Sequence, residues 1–325
     1  MSAEPSPVTR TGLRLFLRIA SAALFLGLLV LMVLHVEWSE VGHALRHAYL
    51  PLVLAAAALN FVNLACKAGR WRVMLTPLGR VGFLRLYYYL IVSYAASALL
   101  PARAGEALRV VLLRRRDNVA VADAVGVVVV EKLFEVLGLL TIVLPLPLLL
   151  VLPHWAELSI WVIAAGGLLA LLVAVVLAAR LGPQQAAGSW HKLARGLTCM
   201  RSPSRVMLAI ALSVAAYLID AGEVWLVLRA LNIDVPWATP ALVLLGGNLA
   251  IAVPSTPGQL GALEAGVVAG LSIVNVPVPA ALAFALVYHV TQLLPIIVVG
   301  LSGLRLVAET RTESPGSTEP IEVAS

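Results

Sequence analysis

Apolar runs of bilayer-crossing length recur along this chain, and two of them break where a span would ordinarily just end. The first break is Leu99-Leu-Pro-Ala-Arg-Ala-Gly-Glu-Ala-Leu-Arg109, which presents Arg103, Gly105, Glu106 and Arg109 before a short apolar piece, Val110 to Leu113. The second is Ala252-Val-Pro-Ser-Thr-Pro-Gly-Gln-Leu-Gly-Ala-Leu-Glu264, where Pro257, Gly258 and Gly261 precede a carboxylate. Paired interruptions at corresponding places in two halves point to a transporter-like site. Composition agrees with a membrane chain. Of 325 residues, 61% are hydrophobic and 12% charged, more apolar surface than a soluble domain of this length can bury. The formal charge of +6 sits in short loops between apolar runs, which favours a membrane surface over nucleic acid. The two cysteines, Cys66 and Cys199, have no metal-type spacing, and a disulfide between them is not expected.

Charge and length give the topology. Residues 1–12 read as a disordered cytoplasmic lead, and about residues 13–34 as a first span retained rather than cleaved as a signal peptide. Residues 35–49 read as a short amphipathic interfacial segment with Trp38 and Tyr49 at headgroup depth. The second span is placed at residues 50–68. It is followed by a basic loop holding Lys67, Arg70, Arg72, Arg80 and Arg85, hence cytoplasmic by the positive-inside rule. If the run at 86–100 crossed fully, Arg103, Arg109, Arg114, Arg115 and Arg116 would face outside, against that rule. A hairpin that enters partway and returns over 102–113 keeps all five inside, and its twelve residues reach only about 18 Å. Spans at 120–144, 158–179 and 206–230 follow. A second hairpin over 240–275 enters from outside, and a last span occupies 279–303.

The expected fold is therefore an all-α polytopic membrane protein with about six full spans and two re-entrant helical hairpins. One transmembrane domain covers 13–305, in halves 13–150 and 158–305 of inverted topology, with a polar cytoplasmic tail over 306–325. Both termini lie in the cytoplasm.

Ionisable groups inside spans cost about 2.5–3.5 kcal/mol each on insertion scales and face the bundle interior. Arg103 and Arg109 beside a broken helix suit an anionic headgroup, because guanidinium pairs bidentately with phosphate and a half-helix N-terminus adds donors. Glu106 and Glu264 could pair with those arginines or hold a cationic group. Glu131 and Glu135, one turn apart, could compensate basic residues from a hairpin. Internal ion pairing that merely holds the hairpins is the competing reading for all of these. Asp220 and Glu223 also lie one turn apart, with no basic partner apparent. His289 and Gln292 either line a cavity or make packed hydrogen bonds, and Gly266 and Gly270 form a GxxxG of the kind that marks close helix packing. His43 and His47 lack a third metal ligand nearby. No GxxxxGK[ST], HExxH or GxSxG motif occurs, so neither ATP hydrolysis nor a cofactor is expected.

Leu100-Pro-Ala-Arg-Ala-Gly-Glu-Ala-Leu-Arg109, Val130-Glu-Lys-Leu-Phe-Glu135 and Pro254-Ser-Thr-Pro-Gly-Gln-Leu-Gly-Ala-Leu-Glu264 together resemble the lysylphosphatidylglycerol synthase transmembrane-region family, also called flippase-like. The middle motif departs slightly, carrying Glu131-Lys132 and Glu135 where the family commonly has Glu-Arg and a later Asp. The resemblance implies a protein that moves or presents a lipid headgroup across the bacterial inner membrane, without cofactor. Arg103, Gly105, Glu106, Arg109, Glu131, Glu135, Pro257, Gly258, Gly261 and Glu264 are its candidate substrate-binding residues. Family members with synthase activity carry a soluble domain after the membrane half. With about twenty residues after the last span, no such activity is expected here. Lipids with anionic or phosphate-containing headgroups are the implied ligands; an oligomer, or a lipid-modifying enzyme as partner, is compatible. The alternative reading is an accessory subunit of a lipid- or glycan-modifying enzyme. An intramembrane glycosyltransferase is a third, for which no nucleotide-sugar site is visible. Cysteines introduced at 103 and 109 should be labelled from the same side as one in the 76–82 loop; labelling from the opposite side would overturn the first hairpin.

Overall fold

The computed structural model describes residues 38–100, 104–180, 196–252 and 257–309. The expected first span at 13–34, Arg103, the Pro254–Thr256 break, residues 181–195 and the tail from 310 lie outside them. Among the described residues the chain is helical throughout, without strands. A short helix α1 (Trp38–Arg46) matches the expected amphipathic segment, and the long helix α2 (Leu50–Leu75) follows it. Next come α3 (Phe83–Leu99) and α4 (Ala104–Asp117), which form the first hairpin, and α5 (Val121–Val143). The second half runs α6 (His154–Arg180), α7 (Pro203–Ala230), the second hairpin of α8 (Thr239–Ala252) and α9 (Ala262–Ser272), and α10 (Val278–Glu309).

Helices α2, α6, α7 and α10 are long and apolar enough to cross a membrane. Helix α5 has comparable length but carries Asp123, Glu131, Lys132 and Glu135, and it buries Asp123 and Glu131 rather than offering them to lipid. The hairpin helices are shorter. With 14 residues each, α4 and α8 reach about 21 Å, short of the ~30 Å hydrocarbon core. Leu168, Leu169 and Leu172 on α6 show the exposed apolar surface that a lipid-facing helix presents. The sequence reading stopped the second span at residue 68; α2 in fact continues to Leu75. Pro51 starts it in the first turn, where a missing N–H costs nothing, and nothing breaks the helix before Pro77. Lys67 and Arg70 therefore belong to a helix wall rather than to a loop, and Arg70 is buried.

Helices α2 and α7 form an antiparallel pair. Tyr49 N–H donates to the Ala230 carbonyl (2.8 Å) at one end, and Arg70 Nη1 donates to Ser213 Oγ (3.0 Å) at the other. Small residues set the hairpins. A Cβ on Gly105 would lie 1.8 Å from the Ser93 carbonyl oxygen, so α4 can approach α3 only through a glycine. In the second hairpin a Cβ on Gly266 would lie 2.3 Å from the Gly246 carbonyl, and one on Gly270 would lie 2.6 Å from that of Leu242. The GxxxG is thus a packing motif, as expected. Leu100 leaves α3 in an extended conformation (φ −112°, ψ 144°), the geometry that a following proline imposes.

The apolar core falls into two main clusters. One joins α2 to α5 with the 3₁₀ turn Gly196–Arg201 and the start of α7; the other joins the end of α5 with α6 to α10 and Ala56 of α2. A polar cavity lies between the halves. Neither Cys66 nor Cys199 is in a disulfide, and burial pushes the thiol of Cys199, on the 3₁₀ turn, up to about 11. Gly266→Val should lower the thermal midpoint of the detergent-solubilised protein by an overpacking penalty of about 1–3 kcal/mol or more. Gly166→Val on α6, where nothing lies within 4 Å, should leave it unchanged.

Candidate functional site

The cavity has a volume of about 480 Å³ and is walled by residues of α2 to α10. One side of it is an ion network. Arg109 Nη1 donates to both oxygens of Glu131 at 3.0 Å, and the guanidinium packs over the rings of Trp71 (5.3 Å) and Tyr94 (5.6 Å). Arg70 Nη2 reaches Glu135 at 3.1 Å and Glu131 at 3.5 Å. Lys132 bridges Glu106 and Glu135, each at 3.1 Å. Glu131 is fully buried and Arg109 only 3% exposed, so this pair is held in the low dielectric where separation costs most.

The opposite side is acidic. Asp220 Oδ1 accepts from Asn63 Nδ2 (2.5 Å), and Glu223 Oε2 accepts from Gln292 Nε2. Beneath the second hairpin, Glu264 Oε2 accepts from the Gly261 backbone N–H (2.6 Å), so the third residue of α9 caps its own helix. Glu264 Oε1 also meets His289 Nδ1 at 2.5 Å, while His289 Nε2 donates to the Gly258 carbonyl (2.9 Å). Gly258 (φ 63°) and Gly261 (φ 81°) take the left-handed conformations that the broken segment requires. The first hairpin meets this tip directly: a Cβ on Gly258 would lie 3.3 Å from the Ala98 carbonyl oxygen.

Of the residues singled out by sequence, Glu106, Arg109, Glu135 and Gly258 line the cavity. Glu131 braces the arginines from behind. Gly105 is a packing glycine whose N–H donates to Ser97 Oγ (3.1 Å), and Gly261 and Glu264 build the turn of the second hairpin. Pro257 opens that 3₁₀ turn, and Arg103 lies outside the described residues. His289 and Gln292 line the cavity and make packed hydrogen bonds at once. Sequence reasoning missed Lys67, Asn60, Asn63 and Tyr94. Lys67 faces the cavity over the Tyr94 ring (5.9 Å) and meets no carboxylate within 4.0 Å among the described residues. The only available signal was its place inside a continuing helical run.

The two halves repeat this chemistry position by position. Glu106 and Glu264 are each the third residue of the returning hairpin helix, and Lys132 and His289 are each the twelfth of the following span. Each carboxylate bonds its own half's base. Likewise Glu135 and Gln292 are both fifteenth in those spans, and they bond Arg70 and Glu223, both twenty-first in α2 and α7. Lys67 and Asp220 are both eighteenth. Equivalent positions on the α2–α7 pair thus carry opposite charge.

The chain belongs to the lysylphosphatidylglycerol synthase transmembrane-region family, whose pattern it matches over residues 18–300. It is therefore a multi-pass membrane protein. It is similar to the UPF0104 membrane protein MJ1078 of Methanocaldococcus jannaschii, at 21% identity over 212 residues, which covers 63% of this chain and 90% of that protein. It is also similar to the glycosyltransferase AglD of Haloferax volcanii, at 33% identity over 112 residues. That match covers 34% of this chain and 18% of AglD, so the chain spans less than a fifth of that relative's length.

Glu131→Gln leaves two buried guanidiniums short of a counter-charge and should cost about 3–5 kcal/mol of stability. The double variant Arg109→Met/Glu131→Leu should lose less than either single change, because no charge is left unpaired. Thermal unfolding of wild type, Glu131→Gln, the two single variants and the double variant in one detergent measures both effects.

Proposed function

We propose that the cavity receives the headgroup of a membrane lipid and passes or presents it between the leaflets of the cytoplasmic membrane. One observation carries this reading: a 480 Å³ cavity at two broken-helix hairpins holds Lys67, a cation with no carboxylate in ion-pair range among the described residues. That volume suits a headgroup, not a whole lipid. A lone ammonium against an aromatic ring is an anion contact in waiting, and phosphate is the anion that lipids supply. Lys132, 42% exposed, offers a second positive edge. Arg109 is committed to Glu131, so in this reading it positions the hairpin and shapes the field while Lys67 meets the phosphate. Arg103, outside the described residues, is retained from the sequence as a further anion contact. Glu106 and Glu135 tune the charge around Lys132; Gly258 and Glu264 hold the second hairpin against the first.

Position-by-position correspondence between the halves supports inverted repeats, and rocking of one against the other about the α2–α7 pair would expose the cavity alternately. The basic loops of the sequence support cytoplasmic termini in this reading. The partial likeness to a protein named a glycosyltransferase supports a second reading, in which this membrane region presents a lipid to a glycan-modifying partner enzyme.

Native mass spectrometry of gently extracted protein, with lipid identification, tests the site. Wild type should retain one enriched lipid class with a phosphate-containing headgroup, and Lys67→Ala should lose at least about tenfold of that occupancy, the worth of one charge-assisted contact. Equal, unselective lipid in both proteins would overturn the headgroup reading, and co-purification of a second enzyme would then favour the partner reading.

A further inference from the structure

We propose that Glu223 is a proton-binding site whose protonation state sets the contact between α7 and α10, and through it the opening of the cavity. Glu223 is fully buried, and among the described residues no cation stands within ion-pair range of it. Its Oε2 accepts from Gln292, while its Oε1 has no hydrogen-bond partner there. One turn away stands a second carboxylate, Asp220. Asn63, also fully buried and bonded to Asp220, leaves its own Oδ1 without a partner. An ionised Glu223 in this setting would be a buried charge beside a like charge, with no cation in ion-pair range among the described residues, whereas a proton on Oε1 removes it.

Comparison with the other half isolates the reason. The position of Glu223 in α7 is that of Arg70 in α2, and the position of Gln292 is that of Glu135. The first half closes this contact with an ion pair of 3.1 Å; the second closes it with a carboxyl and an amide. Loss of a proton leaves the first contact intact and loads the second with charge. The halves therefore respond unequally to one proton, which is what a coupled rocking motion requires.

The occupant is a proton rather than a metal cation. The amides of Gln292 and Asn63 point N–H donors at the two carboxylates, where a metal ion would need oxygens. Nor is it the cationic end of a ligand, because Glu223 lies behind the cavity wall that Asp220 lines. The charged and titratable groups around the pair are Cys66, Lys67 and Arg70 on α2, Glu135 on α5, Tyr217 on α7, and Tyr288 on α10. Lys67 is the cation toward which an ionised Glu223 or Asp220 would turn. On deprotonation the O–H bond of Glu223 breaks, the electron pair stays on Oε1, and the proton passes to cavity water past Asp220. Nothing is oxidised or reduced.

The test uses the full chain in detergent and dicyclohexylcarbodiimide, which adds to protonated carboxyls in apolar surroundings, with the modified peptide read by mass spectrometry. Wild type should be modified at Glu223, with a rate falling about tenfold per pH unit above its midpoint, as a single titrating site requires. Gln292→Lys rebuilds the ion pair of the other half and should suppress the modification in a protein that stays monodisperse. A Glu223 unreactive at every pH in folded wild type, a rate indifferent to Gln292→Lys, or protection by sodium but not choline would each overturn the proposal. The opening is read separately. Thiol labelling of Ala98→Cys at the cavity wall should rise with pH beyond the thiol's own ionisation, and adding Glu223→Gln should hold it at the closed level. Identical pH courses would overturn the coupling. None of these readouts involves lipid, so they stand or fall apart from the headgroup site.

Discussion

Glu131 is the shared counter-ion on which the first half of this protein depends. Its carboxylate takes both oxygens' worth of Arg109 from α4 and stands 3.5 Å from Arg70 on α2. Three elements that lipid alone would leave free to separate are thereby locked around one anion. In a bilayer the alternatives are poor: an unpaired guanidinium must find water or drag headgroups inward. The pair also releases Lys67 from structural duty. With Glu131 and Glu135 taken up by the arginines and Lys132, the Lys67 ammonium has the Tyr94 ring beside it and, among the described residues, no carboxylate within 4.0 Å, and its charge is left facing the cavity.

A duplicated architecture with opposite charges at equivalent positions gives the cavity its polarity. Lys67 and Arg70 project from one helix of the central pair, Asp220 and Glu223 from the other. Because those two helices pack antiparallel against each other, the field across the cavity runs from one half to the other. The accompanying substitutions keep each contact closable. Lys132 with Glu106 becomes His289 with Glu264, and Arg70 with Glu135 becomes Glu223 with Gln292. Geometry is preserved while the response to protons changes.

Much of this was legible in the sequence. Proline and glycine marked both hairpins because a backbone that reverses inside a membrane needs residues that cannot continue a helix or can adopt positive φ. The intramembrane charges of α5 announced a polar interior because lipid tolerates no other placement. What stayed hidden has equally physical causes. Lys67 and Arg70 were counted with the cytoplasmic loop because the positive-inside rule reads charge near a span's end and is blind to where the helix stops. The pairing of Arg70 with Glu135, or of Gln292 with Glu223, joins residues 65 and 69 positions apart and leaves no local pattern. The sequence offered Glu131 as compensation for a basic residue of the hairpin and phosphate as the other partner of Arg109; the carboxylate is the one in place, and spacing alone did not choose, since a guanidinium pairs with either anion.

Where the two hairpins meet, the contact is backbone against backbone: the Gly258 turn rests on the carbonyl of Ala98, and His289 holds that turn from behind. A glycine turn seated on a backbone carbonyl has no rotamer of its own to reorganise at that point. It is either seated or apart. In the proposed function such a junction would act as a valve face rather than a filter, leaving the choice of what enters to the charged walls behind it.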